Sequence, residues 1–273
     1  MTQHPASPVT RKTPSAAEYL NGQSPRARGE EKRKAALEWI YLNGWTSADL
    51  LRKVVGQAAG GYAAKLVRSG LLVETRTQSG GVQKGVPKSV LTLSRIGLEE
   101  AERFRTESYP YIEINPLRIS QHLIRHNLLA QQLTLTALQS GHASAYFTER
   151  MLQRAGDKKD EKKPDVVWKL CSSGNLAAVE VELSGKWGRD LDDFILKICI
   201  ALDDRKGPPR YDKFFIFSDS PAIVAKYEKA LAPGSRYTLW RSDPIARKYY
   251  EDRALTVPDY VRNRIQCSLL RDA

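Results

Sequence analysis

Cysteine is scarce: three residues in a chain of 273, Cys171, Cys199 and Cys267, odd in number and far apart. That excludes a disulfide framework and a cysteine-rich zinc site, and it suits a reducing cytosol. Histidine is scarce too, with four residues. His122 and His126 stand one helical turn apart, but no third His or Cys lies near them. A zinc site is therefore not expected, and a satisfied helix histidine or a contact to a polyanion accounts for the pair better. Long apolar runs are missing as well. None approaches the ~20 residues that cross a bilayer, and the first residues hold no apolar signal core. The chain is expected to be soluble and cytoplasmic, with no membrane insertion.

Positive charge is what the chain has in excess. Lys and Arg number 43 against 31 Asp and Glu, a formal net charge of +12. Such a balance favours polyanionic partners, because each neutralised phosphate releases condensed counterions. Charge alone selects that class and no particular member of it.

Residues 1–28 are rich in Pro, Ser, Thr, Gln and Arg and poor in large apolar side chains, so they are expected to form a solvated basic tail. From Glu30 a helical period begins, with Ala36, Leu37, Ile40 and Tyr41, and Asn43-Gly44 stops it. A second short helix carries Leu50, Leu51, Val54 and Val55 behind a cap at Thr46 or Ser47. A third is expected over 58–69, with Ala63, Leu66 and Val67 inward and Gly70 as its stop. Two strands then flank a tip bearing Gly80, Gly81, Lys84 and Gly85. Three helices and a hairpin, closed by a helix over 96–106, predict a winged helix-turn-helix domain at 29–106. In such a module the third helix enters the major groove, offering Gln57, Tyr62, Lys65 and Arg68, with Lys84 and Lys88 on the wing. Winged helices also dock proteins, and the pattern alone does not separate the two uses.

After a proline-broken linker, a long helix is expected from Pro116 to about Gln139, with Leu117, Leu123, Ile124, Leu128, Leu135 and Leu138 on its inner face. Strands are then expected over 144–150, 165–170 and 176–183, a helix over 190–202, a strand over 213–218, a helix over 221–231 and a strand over 237–241. This αβββαβ order followed by αβ predicts an α/β (α+β) domain at 107–241 with a mixed sheet between helices. Residues 242–273 form a basic extension that lies along phosphate, contacts a partner or packs as a terminal helix. The tryptophans read as packing residues, with stacking on bases the alternative for Trp187 and Trp240.

The acidic residues of the strands carry the chemistry. Asp165 opens the second strand after a lysine-rich loop that includes Lys162 and Lys163, further candidates for phosphate contact. Glu180 and Glu182 stand two apart in the apolar run AAVEVELSGK, so both face the same side of the sheet. Buried carboxylates on one face repel each other unless a cation or positive side chains neutralise them. Mg²⁺ or Mn²⁺ suits such oxygen ligands and leaves room for water and a phosphate. Glu149, late in the first strand, is a further candidate ligand.

These stretches carry a resemblance. KPDVVW followed by VEVELSGK resembles the PD-(D/E)xK nuclease superfamily, with Asp165 and Glu180 at its metal positions. The winged helix, the RHNLLAQ helix and the order of elements over residues 30 to 220 resemble the plasmid replication-relaxation family, which includes the MobC-type relaxases of mobilisable plasmids. The resemblance implies a restriction-endonuclease-like domain that nicks supercoiled, double-stranded plasmid DNA at a transfer origin, with a coupling protein or other relaxosome proteins as partners. The histidine cluster of tyrosine relaxases is absent, and no covalent tyrosine stands out. One departure matters: the usual Glu-x-Lys is here Glu180-Val181-Glu182. Lys197, on the following helix, is the first replacement expected for the lysine, unless it pairs with Asp193 or Asp204; Lys186 is the second. Without either, the fold would be a DNA-binding accessory or replication regulator; a restriction or repair nuclease is the remaining alternative.

Overall fold

The computed structural model describes residues 22–57, 60–153, 163–205, 207–243, 246 and 248–270. Helix α1, Pro25–Asn43, begins earlier than its apolar period suggests, inside the segment expected to be tail. Ser24 starts it by accepting a hydrogen bond from the Ala27 amide, and Pro25 occupies the first turn, where a missing N–H costs nothing. Helix α2, Ala48–Val54, is capped by Ser47. Helix α3 is shorter than expected, Tyr62–Arg68. Gly61 precedes it with φ +97°, a left-handed conformation that delays the first helical turn. Strands β1, Leu72–Arg76, and β2, Ser89–Leu93, pair antiparallel, and α4, Arg95–Arg103, closes the unit.

Past Pro116 the expected long helix is broken. Three 3₁₀ turns, Ile112–Ile114, Pro116–Arg118 and Gln121–Leu123, precede α5, Ile124–Gln139. The Asn115 side chain caps Leu117, and the chain then turns inward to bury Ile119 beside Trp39, Trp45 and Leu128. Burial of Ile119 prevails over helical propensity, and Leu117 and Leu123 are left exposed instead of packed.

The second half is a mixed five-stranded sheet in the order β3-β4-β5-β6-β9. Its strands are β3, Ala143–Thr148; β4, Val166–Leu170; β5, Leu176–Val181; β6, Lys213–Ser218; and β9, Ile265–Leu269. The first three run antiparallel; β6 is parallel to β5, and β9 to β6. A short helix, α6, Glu149–Gln153, follows β3. Alternation along the strands divides the core. Val166, Trp168, Ala177 and Val179 pack towards α5, while Val167, Ala178, Phe214 and Ile216 pack with α7, Gly188–Leu202, and α8, Pro221–Ala230.

The C-terminal residues are not a separate extension. Strands β7, Arg236–Asp243, and β8, Lys248–Thr256, form their own antiparallel ribbon, and β9 completes the main sheet. Val257 and Val261 join the α7 core, which is why this basic segment folds back. The halves also share a core across residue 106. Trp39, Trp45 and Val90 pack with Ile119, Ile124 and Leu135. The Trp39 indole donates to Gln131 Oε1 at 3.0 Å, and Gln131 Nε2 donates to the Trp45 carbonyl at 3.0 Å. No described helix is long and apolar enough to cross a membrane.

Candidate functional site

Asp165 sits at the head of β4, where the chain has just entered the sheet. Its Oδ2 accepts the Val181 amide at 2.7 Å and His126 Nε2 at 3.1 Å. The first bond ties the start of β4 to the end of β5, beside Glu180. That carboxylate is only 3% exposed, on the α7 face with Ala178. Glu182, 5% exposed, lies just past β5, and its amide extends the ladder to the Phe217 carbonyl at 2.8 Å. Period two therefore holds for the pair, as the run of apolar neighbours implies.

Glu182 is already neutralised. One carboxylate oxygen holds the Lys186 ammonium, and the other accepts the Tyr227 hydroxyl at 3.3 Å. The same hydroxyl accepts the Lys186 amide, and the ammonium stands 4.7 Å from the Phe194 ring centroid. Burial, reinforced by the charge of Glu182, pushes the Tyr227 phenol well above its ordinary range, so it stays a donor.

His126, expected from the sequence as a satisfied helix histidine or a polyanion contact, is satisfied by Asp165. Burial disfavours its charge, but the hydrogen bond and charge of Asp165 act the other way, helped by Asn127 and Glu180. The balance raises its pKa to about 9, so the imidazolium persists at neutral pH. The neighbouring Arg125 pairs with Asp219 and packs against Gly85 at the β1–β2 tip. Gln121 accepts the Gln78 amide of that same tip at 3.0 Å. A cleft of about 700 Å³ opens alongside, lined by Trp45, Ile119, Asn127, Thr148, Glu149 and Asp165.

Several expected residues fall elsewhere. Lys197 bonds Asp193 at 2.7 Å, one turn back on α7, so the lysine on a site carboxylate is Lys186. The short loop after β5 explains this, since it folds Lys186 back onto Glu182, whereas Asp193 lies within reach on the same helix face as Lys197. Glu149 starts α6 because β3 ends at Thr148; it lines the cleft beside Asp165 but does not project from the strand. Gln57 belongs to the turn after α2 and not to α3, and Tyr62 is half-buried against the helical core. Lys65, Arg68, Lys84, Lys88 and Lys163 are exposed; Lys162 lies outside the described residues.

Among the described residues no group of three or more His, Cys, Asp or Glu is arranged to hold a metal ion. With Glu182 engaged by Lys186, the other two carboxylates brought to this end of the sheet are those of Asp165 and Glu180. Mg²⁺ commonly takes only one or two protein carboxylates and completes its shell with water and phosphate oxygens, so this pair fits such an ion. Both bonds to Asp165 fall on Oδ2, which leaves Oδ1 as its donor atom. No family model matches this chain, and no significant match arises among curated proteins or solved structures.

Proposed function

We propose that this chain is a DNA-binding, metal-dependent endonuclease that nicks double-stranded plasmid DNA, acting as a mobilisation relaxase or relaxosome endonuclease at a transfer origin. In this reading α1 to α4 with the β1–β2 hairpin act as a winged helix-turn-helix. The elements α5-β3-β4-β5-α7-β6 act as a restriction-endonuclease-like αβββαβ core. The observation that carries the reading is one juxtaposition. Asp165 is tied to the β5 backbone beside buried Glu180, and the segment that holds Asp165 through His126 also anchors the β1–β2 tip through Gln121 and Arg125. DNA gripped by the tip would thus pass the carboxylates.

Asp165 and Glu180 would hold Mg²⁺ or Mn²⁺, which when bound polarises a phosphate and offsets its charge. Lys186 neutralises Glu182, so a third negative charge does not repel the incoming phosphate. His126 keeps Asp165 oriented, and exposed Lys65, Arg68, Lys84 and Lys88 are available to duplex phosphates.

A second reading, a DNA-binding accessory without cleavage, is favoured by Glu182 standing where the superfamily has its lysine. Incubation of origin-bearing supercoiled plasmid with Mg²⁺ or Mn²⁺ separates the two. Nicking is expected with metal and not with chelator. Asp165→Asn and Glu180→Gln should each abolish it while binding persists, and Lys197→Ala should leave the rate unchanged. Footprinting without nicking supports the accessory, and a double-strand cut supports a restriction-type nuclease. Nicking at full rate in excess chelator refutes the metal mechanism.

A further inference from the structure

On the α7 side of the carboxylates lies a surface that the cleavage reading does not use. Trp187, five residues past Glu182, is 75% exposed. The Lys226 ammonium stands 3.0 Å from the centroid of its indole, covering one face and leaving the rest open. Lys226 also donates to the Lys186 carbonyl, so this cation and ring are fixed to the residue that neutralises Glu182. Across a shallow trough of about 480 Å³, the Arg189 guanidinium lies 4.0 Å over the ring of Tyr249, itself 56% exposed. Trp240 and Lys248 complete the trough, and the Trp240 indole donates to Asp192 at 2.8 Å. Asp190, paired with Arg189 at 3.3 Å, is the acidic residue lining it.

We infer that this trough binds single-stranded nucleic acid, with Trp187 and Tyr249 stacking on unpaired bases and Lys226, Arg189 and Lys248 facing the phosphates. Two large aromatic faces left in water beside fixed cations are poorly explained by packing, since Trp187 adds little to the core. A duplex cannot use them, because its base faces are already stacked on one another. An unpaired strand presents flat faces and phosphates together, the combination that aromatic platforms on nucleic-acid-binding proteins exploit. Phe214, Tyr227 and Tyr211, by contrast, are aromatic residues of the same half that the core buries fully. The trough adjoins Lys186 through Trp187 and Lys226, and Lys186 in turn pairs with Glu182. This goes beyond the cleavage reading and does not require cleavage.

The test uses the full chain in chelator, with a fluorescently labelled oligothymidylate of about 20 nucleotides and a labelled duplex of equal length, read by anisotropy. Trp187→Ala is expected to weaken single-strand binding about ten-fold, Trp187→Phe to retain most of it, and Tyr249→Ala to weaken it several-fold. Duplex affinity should stay within two-fold for all three. Trp187 is exposed, so the variants should melt with the parent. Unchanged single-strand affinity in Trp187→Ala overturns the inference, and so does an equal loss on duplex and single strand. A chain that never nicks plasmid yet gives the expected pattern keeps the trough and loses the endonuclease.

Discussion

Replacing Lys186 by Met tests whether the neutralisation of Glu182 is internal to the protein. The Glu182 side chain is 7% exposed and that of Lys186 33% exposed. Breaking a fully buried ion pair by removing one partner costs about 3–5 kcal/mol, whereas exposed pairs contribute about 0–1 kcal/mol. This pair lies between those limits, and the Tyr227 hydroxyl still serves Glu182 after the change. Lys186→Met should therefore cost about 1–2 kcal/mol, a fall of roughly 2–4 °C in melting temperature for a chain of this size. Glu182→Gln should cost less, because the partly exposed ammonium returns to water while the amide still accepts from Tyr227. The double variant should be more stable than the sum of the single losses implies, with a coupling of about 1 kcal/mol.

Thermal and urea unfolding of the four proteins, followed by circular dichroism, measure these differences. Mg²⁺ adds a second arm. If Glu182 is outside the cation's ligand set, millimolar Mg²⁺ should not rescue Lys186→Met. Additive losses with no coupling would refute the ion pair as the neutralising device. Rescue by Mg²⁺ would return Glu182 to the metal site and undo the assignment of Asp165 and Glu180 as its protein ligands.

The His126–Asp165 pair predicts a pH dependence. The folded pKa of His126, about 9, lies above the ordinary value of 6.5, so its contribution is fully present below about pH 6.5 and is lost as pH rises through 9. Wild type should exceed His126→Gln in stability by on the order of 2 kcal/mol more at pH 6 than at pH 10, measured by urea unfolding at each pH. An equal difference at both would show that the imidazole is neutral. Gln131→Ala removes the amide that joins Trp39 and the Trp45 carbonyl across the halves. Two buried groups lose their partner, so unfolding should be easier by about 2–4 kcal/mol. A loss below 0.5 kcal/mol on the same assay would mean that water replaces the amide at no cost.

Periodicity made most of the second half legible. The Lys213–Ser218 strand lies where its apolar run places it, and the α7 and α8 helices start and stop within a few residues of their stripes and caps. Local signals failed where tertiary burial decided the matter. Ile119 breaks a helix that its own neighbours favour, and the valines at 257 and 261 draw a basic segment back into the core. At the site, Glu180 and Glu182 were readable because two carboxylates in an apolar strand are costly and rare. The order of the two candidate lysines was not. Lys186 and Lys197 look equivalent as residues near an acidic strand, and only the loop geometry separates them. His126 was read together with His122, a neighbour in sequence, while its partner Asp165 stands 39 positions away. A one-dimensional search for clustered ligands cannot find such a pair.

That shared core bears on how DNA would be handled. Trp39, Trp45, Ile119 and Gln131 lock α1 to α5, and the Tyr111 hydroxyl donates across the halves to the Gly44 carbonyl at 2.6 Å. With the β1–β2 tip also held by Gln121 and Arg125, the helical half and the carboxylates have little freedom to move apart. A protein built this way cannot close around its substrate by swinging one half over the other. On the proposed reading the adjustment falls to the DNA, which must bend or open between the tip and the sheet. Opening costs stacking energy, and the exposed Trp187 and Tyr249 are suited to restore it beyond the carboxylates. Negative supercoiling lowers the same cost, so origin DNA should be bound more tightly supercoiled than relaxed. Trp187→Ala should narrow that difference. Equal affinity of the wild type for the two forms would mean that the duplex stays closed on the protein.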